Sequence, residues 1–369
     1  MILSRRKLLA LVGGGTILAA TGGAAAFLST RTPVAARAPW SLAGRYGEIR
    51  RDALSWALLA PNPHNRQPWE AELIGADAVA IWRDPTRALP HTDPFGRQLT
   101  IGMGCFLELM VLAAAEAGYG VDLDYYPEGE RGPVAQARFL PGAAEPDPLF
   151  AFAAARRSNK EPFDGRPVPP EIAATLSAYG TVETAPEAVA YLRDLTWRAW
   201  LIEMQTPRTW KESVDLLRIG KAEIEANPDG IDLSGPMFDT LGPLGFMPKE
   251  GMLAPDSMAV RQTAAIYEEV MATAAGHIVL TSAGNSRADQ LDAGRQWLRL
   301  NLETTRLGID LHPVSQALQE YPEMQGPYDE MHARYAAEGE TVQMLARLGY
   351  GPEIAETPRW TLEEKLREA

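Results

Sequence analysis

The sequence predicts an α+β protein built as two homologous halves, with helices and strands interspersed along the chain. Three observations carry that expectation. The chain has 369 residues, 46% of them hydrophobic and 22% charged, a globular composition long enough for two units or one duplicated unit. A block of short strand, apolar helix, glycine and second strand then occurs twice. Gly104 leads through a helix to Gly118 and Val121-Asp122-Leu123, and Gly294 leads through another to Gly308 and Ile309-Asp310-Leu311. The glycine-to-glycine spacing is fourteen residues in both copies, and the same elements in the same order point to duplication. Finally, a Pro/Gly-rich stretch at 132–148 separates the two copies and reads as a linker.

The first 38 residues stand apart. Ser4-Arg5-Arg6-Lys7-Leu8-Leu9 precedes an uncharged run over 8–28, and Ala36-Arg37-Ala38 has the small residues of a cleavage site. Arg5-Arg6 ahead of such a run resembles a twin-arginine export signal. The run approaches the ~20 apolar residues that cross a bilayer, but Gly13, Gly14, Gly15, Gly22 and Gly23 dilute it. We therefore expect a cleaved leader over 1–38, outside the fold, and a periplasmic or otherwise exported protein; an uncleaved anchor is the alternative. This segment holds five cations and no acid, so without it the formal charge of −13 becomes −18. A body that acidic repels phosphate backbones and anionic lipid, which excludes nucleic acid as partner. Cys105 is the sole cysteine, so no intrachain disulfide can form.

In chain order, helical spacing of Ile49, Ala53, Leu54, Ala57 and Leu58 predicts a helix over 44–60, stopped by Pro61. Residues 70–74 and 78–82 flank Gly75-Ala76-Asp77 as a hairpin. A loop over 84–97 leads to an apolar helix at 103–117, which Gly118 can cap, and to a strand at 121–126. The first half is thus 39–140 and the second 141–369. Helices are expected at 148–157, 170–179, 187–204, 209–227, 259–275 and 294–307, with strands at 277–282 and 309–313. Residues 229–256 form a Gly/Pro/Met-rich insertion of the length that functional lids have.

Two stretches carry polar chemistry. Pro61-Asn62-Pro63-His64-Asn65-Arg66-Gln67-Pro68-Trp69 cannot be helical, because its three prolines lack N–H groups, and it presents five hydrogen-bonding side chains between a helix and a strand. Arg156-Arg157-Ser158-Asn159-Lys160 gathers three cations and a hydroxyl before a proline turn. Guanidinium forks suit phosphate oxygens; a solvated basic patch at a helix end is the plain alternative. Residues 61–69 resemble the Pro-Ser-x-x-Asn-x-Gln-Pro-Trp signature of the FMN-dependent nitroreductases, with Asn62 in place of Ser. Residues 156–160 resemble that family's Arg-x-Ser-x-Arg/Lys motif.

The resemblance implies an α+β nitroreductase-like fold, a mixed sheet with helices, binding FMN. It implies that Arg156, Arg157 and Ser158 hold the FMN phosphate and that Lys160 lies near N1 and O2 of the ring, where a cation stabilises the reduced flavin. Asn62, Pro63, His64, Asn65 and Gln67 would contact the flavin from the other half. Pro313, Val314, Ser315 and Gln316 would pass near N5, and Arg359 would complete the phosphate site. Each motif occurs once, so the resemblance is to the fused, single-chain branch: a monomeric pseudo-dimer with one intact site. It implies an exported oxidoreductase reducing a nitroaromatic, quinone or similar small acceptor by ping-pong chemistry, with NAD(P)H or a redox partner as donor. A flavin-holding protein without turnover, sealed by 229–256, is the second reading. The chain has no third glycine after Gly102-Met103-Gly104 for a dinucleotide fingerprint, no Gly-x-Ser-x-Gly elbow, and no metal-spaced cluster among His64, His91, His277, His312 and His332.

Overall fold

The computed structural model describes residues 32–235, 238–239, 249–254 and 256–367. Residues 1–31 of the leader expected over 1–38 lie outside them. The fold nevertheless begins before residue 39, because α1 (Val34–Leu42) buries Ala36 and Trp40 and includes the cleavage-like triplet.

α2 (Ile49–Ala57) starts where the Glu48 carboxylate accepts from the Arg50 and Arg51 N–H groups. β1 (Trp69–Ile74) and β2 (Ala78–Arg83) form the expected hairpin. α3 (Arg97–Glu116) begins earlier than its apolar run suggests, since Asp93 accepts from the Gln98 and Leu99 N–H groups and caps a polar first turn. β3 (Tyr119–Tyr125) follows. β4 (Ala135–Pro141) corrects the linker expectation: Ala135, Ala137 and Phe139 alternate into the core, and the strand pairs with both β2 and β3. Pairing and burial outweigh the local Pro/Gly content.

In the second half, the helix expected at 148–157 shrinks to a 3-10 turn over Pro148–Phe152, and Arg156–Lys160 run without regular structure. α4 (Pro170–Leu176), β5 (Thr181–Glu183) and α5 (Pro186–Gln205) come next. The amphipathic stretch over 209–227 is broken into α6 (Pro207–Asp215), β6 (Leu217–Ile219) and α7 (Gly220–Ala226). Gly220, with φ of +78°, takes a conformation no helix interior has, and β6 pairs in parallel with β7 (Ile231–Leu233) inside the insertion. α8 (Met258–Ala272), β8 (Gly276–Ser282), α9 (Arg287–Arg306), β9 (Asp310–Pro313), α10 (Gln325–Tyr335), β10 (Thr341–Gly349) and α11 (Leu362–Lys365) complete the chain.

The strands form two four-stranded antiparallel sheets, ordered β1-β2-β4-β3 and β5-β8-β10-β9. Counted within each sheet the two orders are the same, with a long helix joining the second strand to the third. The halves part at the first connection. It is a tight turn at Gly75-Ala76-Asp77 in one, and the whole of α5 to α8 in the other.

α3 and α9 cross through the repeated glycines. A Cβ on Gly104 would lie 2.1 Å from the Leu291 carbonyl oxygen and 2.9 Å from the Gly294 Cα. One on Gly294 would lie 2.0 Å from the Ile101 carbonyl oxygen and 2.8 Å from the Gly104 Cα. The contact is reciprocal, each glycine meeting the carbonyl three residues before the other, as in an isologous interface. Gly118 and Gly308 end the two helices at φ of +78° and +69°, as left-handed C-caps require. One core packs α2, α3 and α9 against both sheets; a second lies between the other face of the second sheet and α5, α8 and α10.

Candidate functional site

The loop between α2 and β1 is the most strained backbone described. His64, Asn65 and Gln67 have φ of +48°, +50° and +50°, a region non-glycine residues seldom enter and hold only when surroundings enforce it. The enforcement is visible. Asn62 Oδ1 accepts from the Gln67 N–H at 2.6 Å, and Asn65 Nδ2 donates to the Pro358 carbonyl at 3.0 Å. Gln67 Nε2 donates to the Pro228 carbonyl at 2.7 Å while its Oε1 accepts from the Trp360 N–H at 2.9 Å. Lys365 Nζ donates to the Gln67 carbonyl at 2.8 Å. Arg66 bonds the Thr86 and Arg87 carbonyls and pairs with Asp229, which also pairs with Arg87 and Arg218.

Asn62, Asn65 and Gln67 therefore build the loop, binding it to residues 228–230 and 358–360 of the second half. Pro63 packs where a Cβ on Gly102 would meet its Cδ at 3.2 Å. His64 is the side chain left over: its Nδ1 is buried without a partner. Burial, then the nearby Lys160 and Arg66 cations, push its imidazole down to about 4.

Three arginines converge beneath this loop. Arg156 Nη2 donates to the Leu59 carbonyl at 2.9 Å, and Arg359 Nη2 donates to the same oxygen at 3.2 Å. Arg156 Nη1 donates to Asn301 Oδ1 at 2.8 Å, and Arg359 Nη1 to Asn65 Oδ1 at 2.6 Å. Both side chains are 3% exposed, and neither forms an ion pair among the described residues. Arg157 is half-buried, pairs with Glu356 at 3.6 Å and stacks over Trp40 at 4.6 Å. Burial is the main reason the guanidinium of Arg156 falls to about 10 and that of Arg359 to about 9; the neighbouring guanidiniums add to both. The Nε–H groups of Arg156, Arg157 and Arg359 are all buried and unpartnered. Mutually repelling buried cations with free donors are the complement of an anion carrying several oxygens.

Lys160 follows on the same irregular run. Its side chain keeps open surface, and desolvation by the surrounding protein lowers its ammonium pKa, with Asp232 opposing. Ser158 is half-buried and makes no side-chain hydrogen bond among the described residues. Of the residues expected near N5, Val314 is wholly buried in the core and Ser315 Oγ bonds the Leu345 backbone at 3.2 Å. Pro313 ends β9, and Gln316 keeps a buried, unpartnered Oε1.

Several contributors escaped the sequence reading. Trp40 lies under Arg157 and Arg359 and donates from Nε1 to the Thr357 carbonyl at 2.8 Å; it hides behind the leader. Asn301 had a readable signal, being a polar residue among Trp297, Leu298, Leu300 and Leu302 on an apolar helix face. Asp232, His312 and Arg347 come into play only through the tertiary fold. The expected lid falls partly outside the described residues, which omit 236–237, 240–248 and 255. Its described edges are fixed by Trp210 Nε1 donating to the Met252 carbonyl and Lys249 Nζ to the Leu217 carbonyl, both at 2.7 Å.

No family model matches the chain. Two Mycobacterium tuberculosis proteins, one from strain CDC 1551 and one from H37Rv, each named "Putative NAD(P)H nitroreductase", are 25% identical to it over 337 residues. The match covers 86% of this chain and 90% of theirs. A further M. tuberculosis protein of that designation is 35% identical over 81 residues, 22% of this chain and 24% of that one. Among solved structures, the FMN-dependent nitroreductase NfnB of Mycobacterium smegmatis, in complex with NADPH, aligns at 18% identity and a TM-score of 0.37. That alignment covers 58% of this chain and 95% of NfnB, too loose a superposition to carry an argument. Over most of its length the chain is thus similar to proteins named as nitroreductases, the family that its residues 61–69 and 156–160 resemble.

Proposed function

We propose that this chain is an FMN-dependent oxidoreductase of the nitroreductase type, a fused pseudo-dimer holding one flavin between its halves. The observation that carries the reading is the buried arginine group. Arg156 and Arg359 share the Leu59 carbonyl, repel each other, and with Arg157 leave three unpartnered Nε–H donors, which fits a phosphate dianion. In that reading these arginines hold the FMN phosphate, the loop at 62–67 gives the cleft one wall, and Lys160 supplies a cation to the ring. Bound FMN would supply two-electron redox chemistry between a nicotinamide donor and a nitroaromatic, quinone or similar small acceptor. The chain's own part is to hold the phosphate, to keep His64 neutral and to offset negative charge with Lys160. The reciprocal crossing at Gly104 and Gly294 and the matching sheet orders support the pseudo-dimer. We read 229–256 as a cover for the cleft and the segment ahead of α1 as an export leader.

Flavin released by denaturation, measured against protein, should give one FMN per chain. Two would overturn the single-site reading, and none would overturn the flavin itself. Riboflavin, lacking the phosphate, should bind at least about 100-fold more weakly than FMN. Reduction by NAD(P)H and reoxidation by menadione or a nitroaromatic distinguish an enzyme from a flavin carrier. Exchanging residues 236–249 for a short Gly/Ser linker should speed reduction by small donors if that segment covers the cleft. Replacing Arg5 and Arg6 by Lys should retain the protein in the cytoplasm if export is by the twin-arginine route.

A further inference from the structure

A row of buried polar side chains crosses the second sheet behind Lys160. His277 on β8, Arg347 on β10 and His312 on β9 stand directly opposite one another in register, so all three point to one face. They are 1%, 0% and 5% exposed. Arg347 is the centre of the row. Its Nη2 donates to the carbonyls of Glu161 at 2.7 Å and Asn159 at 3.3 Å, the two residues flanking Lys160. Its guanidinium lies 3.8 Å over the Phe163 ring, and its Nε donates to His312 Nδ1 at 2.8 Å.

Two consequences follow from elementary chemistry. A guanidinium grips the chain on both sides of Lys160, so the lysine's backbone has little freedom to move. Arg347 Nε can only donate, so His312 Nδ1 must hold a lone pair and the imidazole proton must sit on Nε2. Burial, then the neighbouring Arg347 and Lys160 cations, hold His312 well below its usual pKa and keep it neutral.

We propose that Arg347 is a positioning residue for Lys160 and that the same side chain locks His312 as a neutral Nε2–H donor beside that lysine. Neither residue needs to touch the flavin for this. The role of Lys160 rests on the flavin reading above, whereas the tautomer of His312 does not.

The test has two arms. In the first, two-bond 1H–15N correlation spectra of the flavin-free protein labelled at histidine, assigned by loss of one ring system in His312→Asn, should show His312 solely as the Nε2–H form at pH 7. An Nδ1–H form or a mixture overturns the lock, whatever the protein binds. In the second, the midpoint potential of bound FMN is measured for Lys160→Ala, Arg347→Met and the double variant. Lys160→Ala should lower the potential, Arg347→Met should lower it in the same direction, and the double variant should go no further than Lys160→Ala. Additive shifts, or an unchanged potential in Arg347→Met, overturn the positioning role. Should Arg347→Met not fold, Asn159→Ala takes its place in the cycle. Its side chain fixes the same loop by bonding the Pro352 carbonyl at 2.9 Å and the Glu161 N–H at 3.1 Å. A wild-type protein that takes up no FMN counts against the flavin reading, while the histidine spectrum still decides the lock.

Discussion

The two halves share a frame and divide the chemistry. Strand order, the long helix between second and third strands, the glycine at the helix crossing and the left-handed cap glycine all occur in both. The strained loop with His64 occurs only in the first half. The arginines, Lys160 and the row through Arg347 occur only in the second, with Arg359 returning across the first half to bond Asn65. What occurs in both halves is therefore what backbone packing demands, and what occurs in one is the polar chemistry proposed to hold the flavin. The largest departure, α5 to α8 in place of a three-residue turn, brings in Asp229 and Asp232, which lie beside the site; α10, between β9 and β10, is a second.

The comparison can be broken hardest at the crossing. Gly104→Ala and Gly294→Ala each place a Cβ about 2 Å from a carbonyl oxygen that cannot retreat, and each should cost about 3 kcal/mol or more of unfolding free energy. Equal losses in urea denaturation would mark the halves as equivalent there. A large difference would show that one half alone carries the packing.

Buried ionisable groups give the next effect, and it belongs to one half. Glu203 on α5 accepts from Ser213 Oγ at 3.1 Å and Gln319 Nε2 at 3.0 Å and has no cation partner among the described residues; burial raises its carboxyl to about 7. The native state thus keeps a proton that the unfolded chain releases near 4.5. On this group's account, stability is greatest below about 4.5 and falls as pH rises through 7, by a total on the order of 3 kcal/mol. His277, held neutral down to about 3, acts oppositely: its contribution is full above 6.5 and is lost as pH falls toward 3. Subtracting the urea profile of Glu203→Gln from that of wild type between pH 4.5 and 8 should isolate the first slope. A flat difference would mean that the carboxyl ionises freely.

Arg156→Ala and Arg359→Ala should each weaken FMN binding by roughly 1.5–3 kcal/mol, about 10- to 150-fold, as the loss of a charge-assisted contact does. Titration of the flavin-free variants would check it, and unchanged affinity in both would make the arginine group purely structural. The mildest test returns to the shared frame. Gly118→Ala and Gly308→Ala ask a side chain to adopt φ near +70° and should cost about 1 kcal/mol each in thermal or urea unfolding, alike in the two halves.

The sequence made legible what is local or repeated. The hairpin at Gly75, the capped helices with their paired glycines and the two polar motifs were all readable from spacing and residue type. β4 and β10 were not, since each sits between two strands of which one, β2 or β8, is far away in the chain, and Pro/Gly content around β4 argues for a linker. The Asn62, Asn65 and Gln67 amides were readable as a polar cluster, but not as the braces of a strained loop, because their partners at Pro228, Pro358 and Trp360 lie in the other half. The nearness of Arg156 to Arg359 likewise depends on the C-terminal segment crossing back, where the Arg367 N–H donates to the Ala71 carbonyl at 2.8 Å.

α1 bears on maturation. Its Ala36 carbonyl accepts from the Arg359 N–H at 2.8 Å, and its Trp40 ring lies against both Arg157 and Arg359. A peptidase cutting after Ala38 would sever that hydrogen bond and leave Trp40 on a free, frayed end beside the arginine group. Removal of a leader ahead of Thr32 would leave the helix whole. In the proposed reading, the place of the cut sets how firmly the arginine group holds its phosphate-bearing ligand, and N-terminal sequencing together with the flavin content of the mature chain would read both.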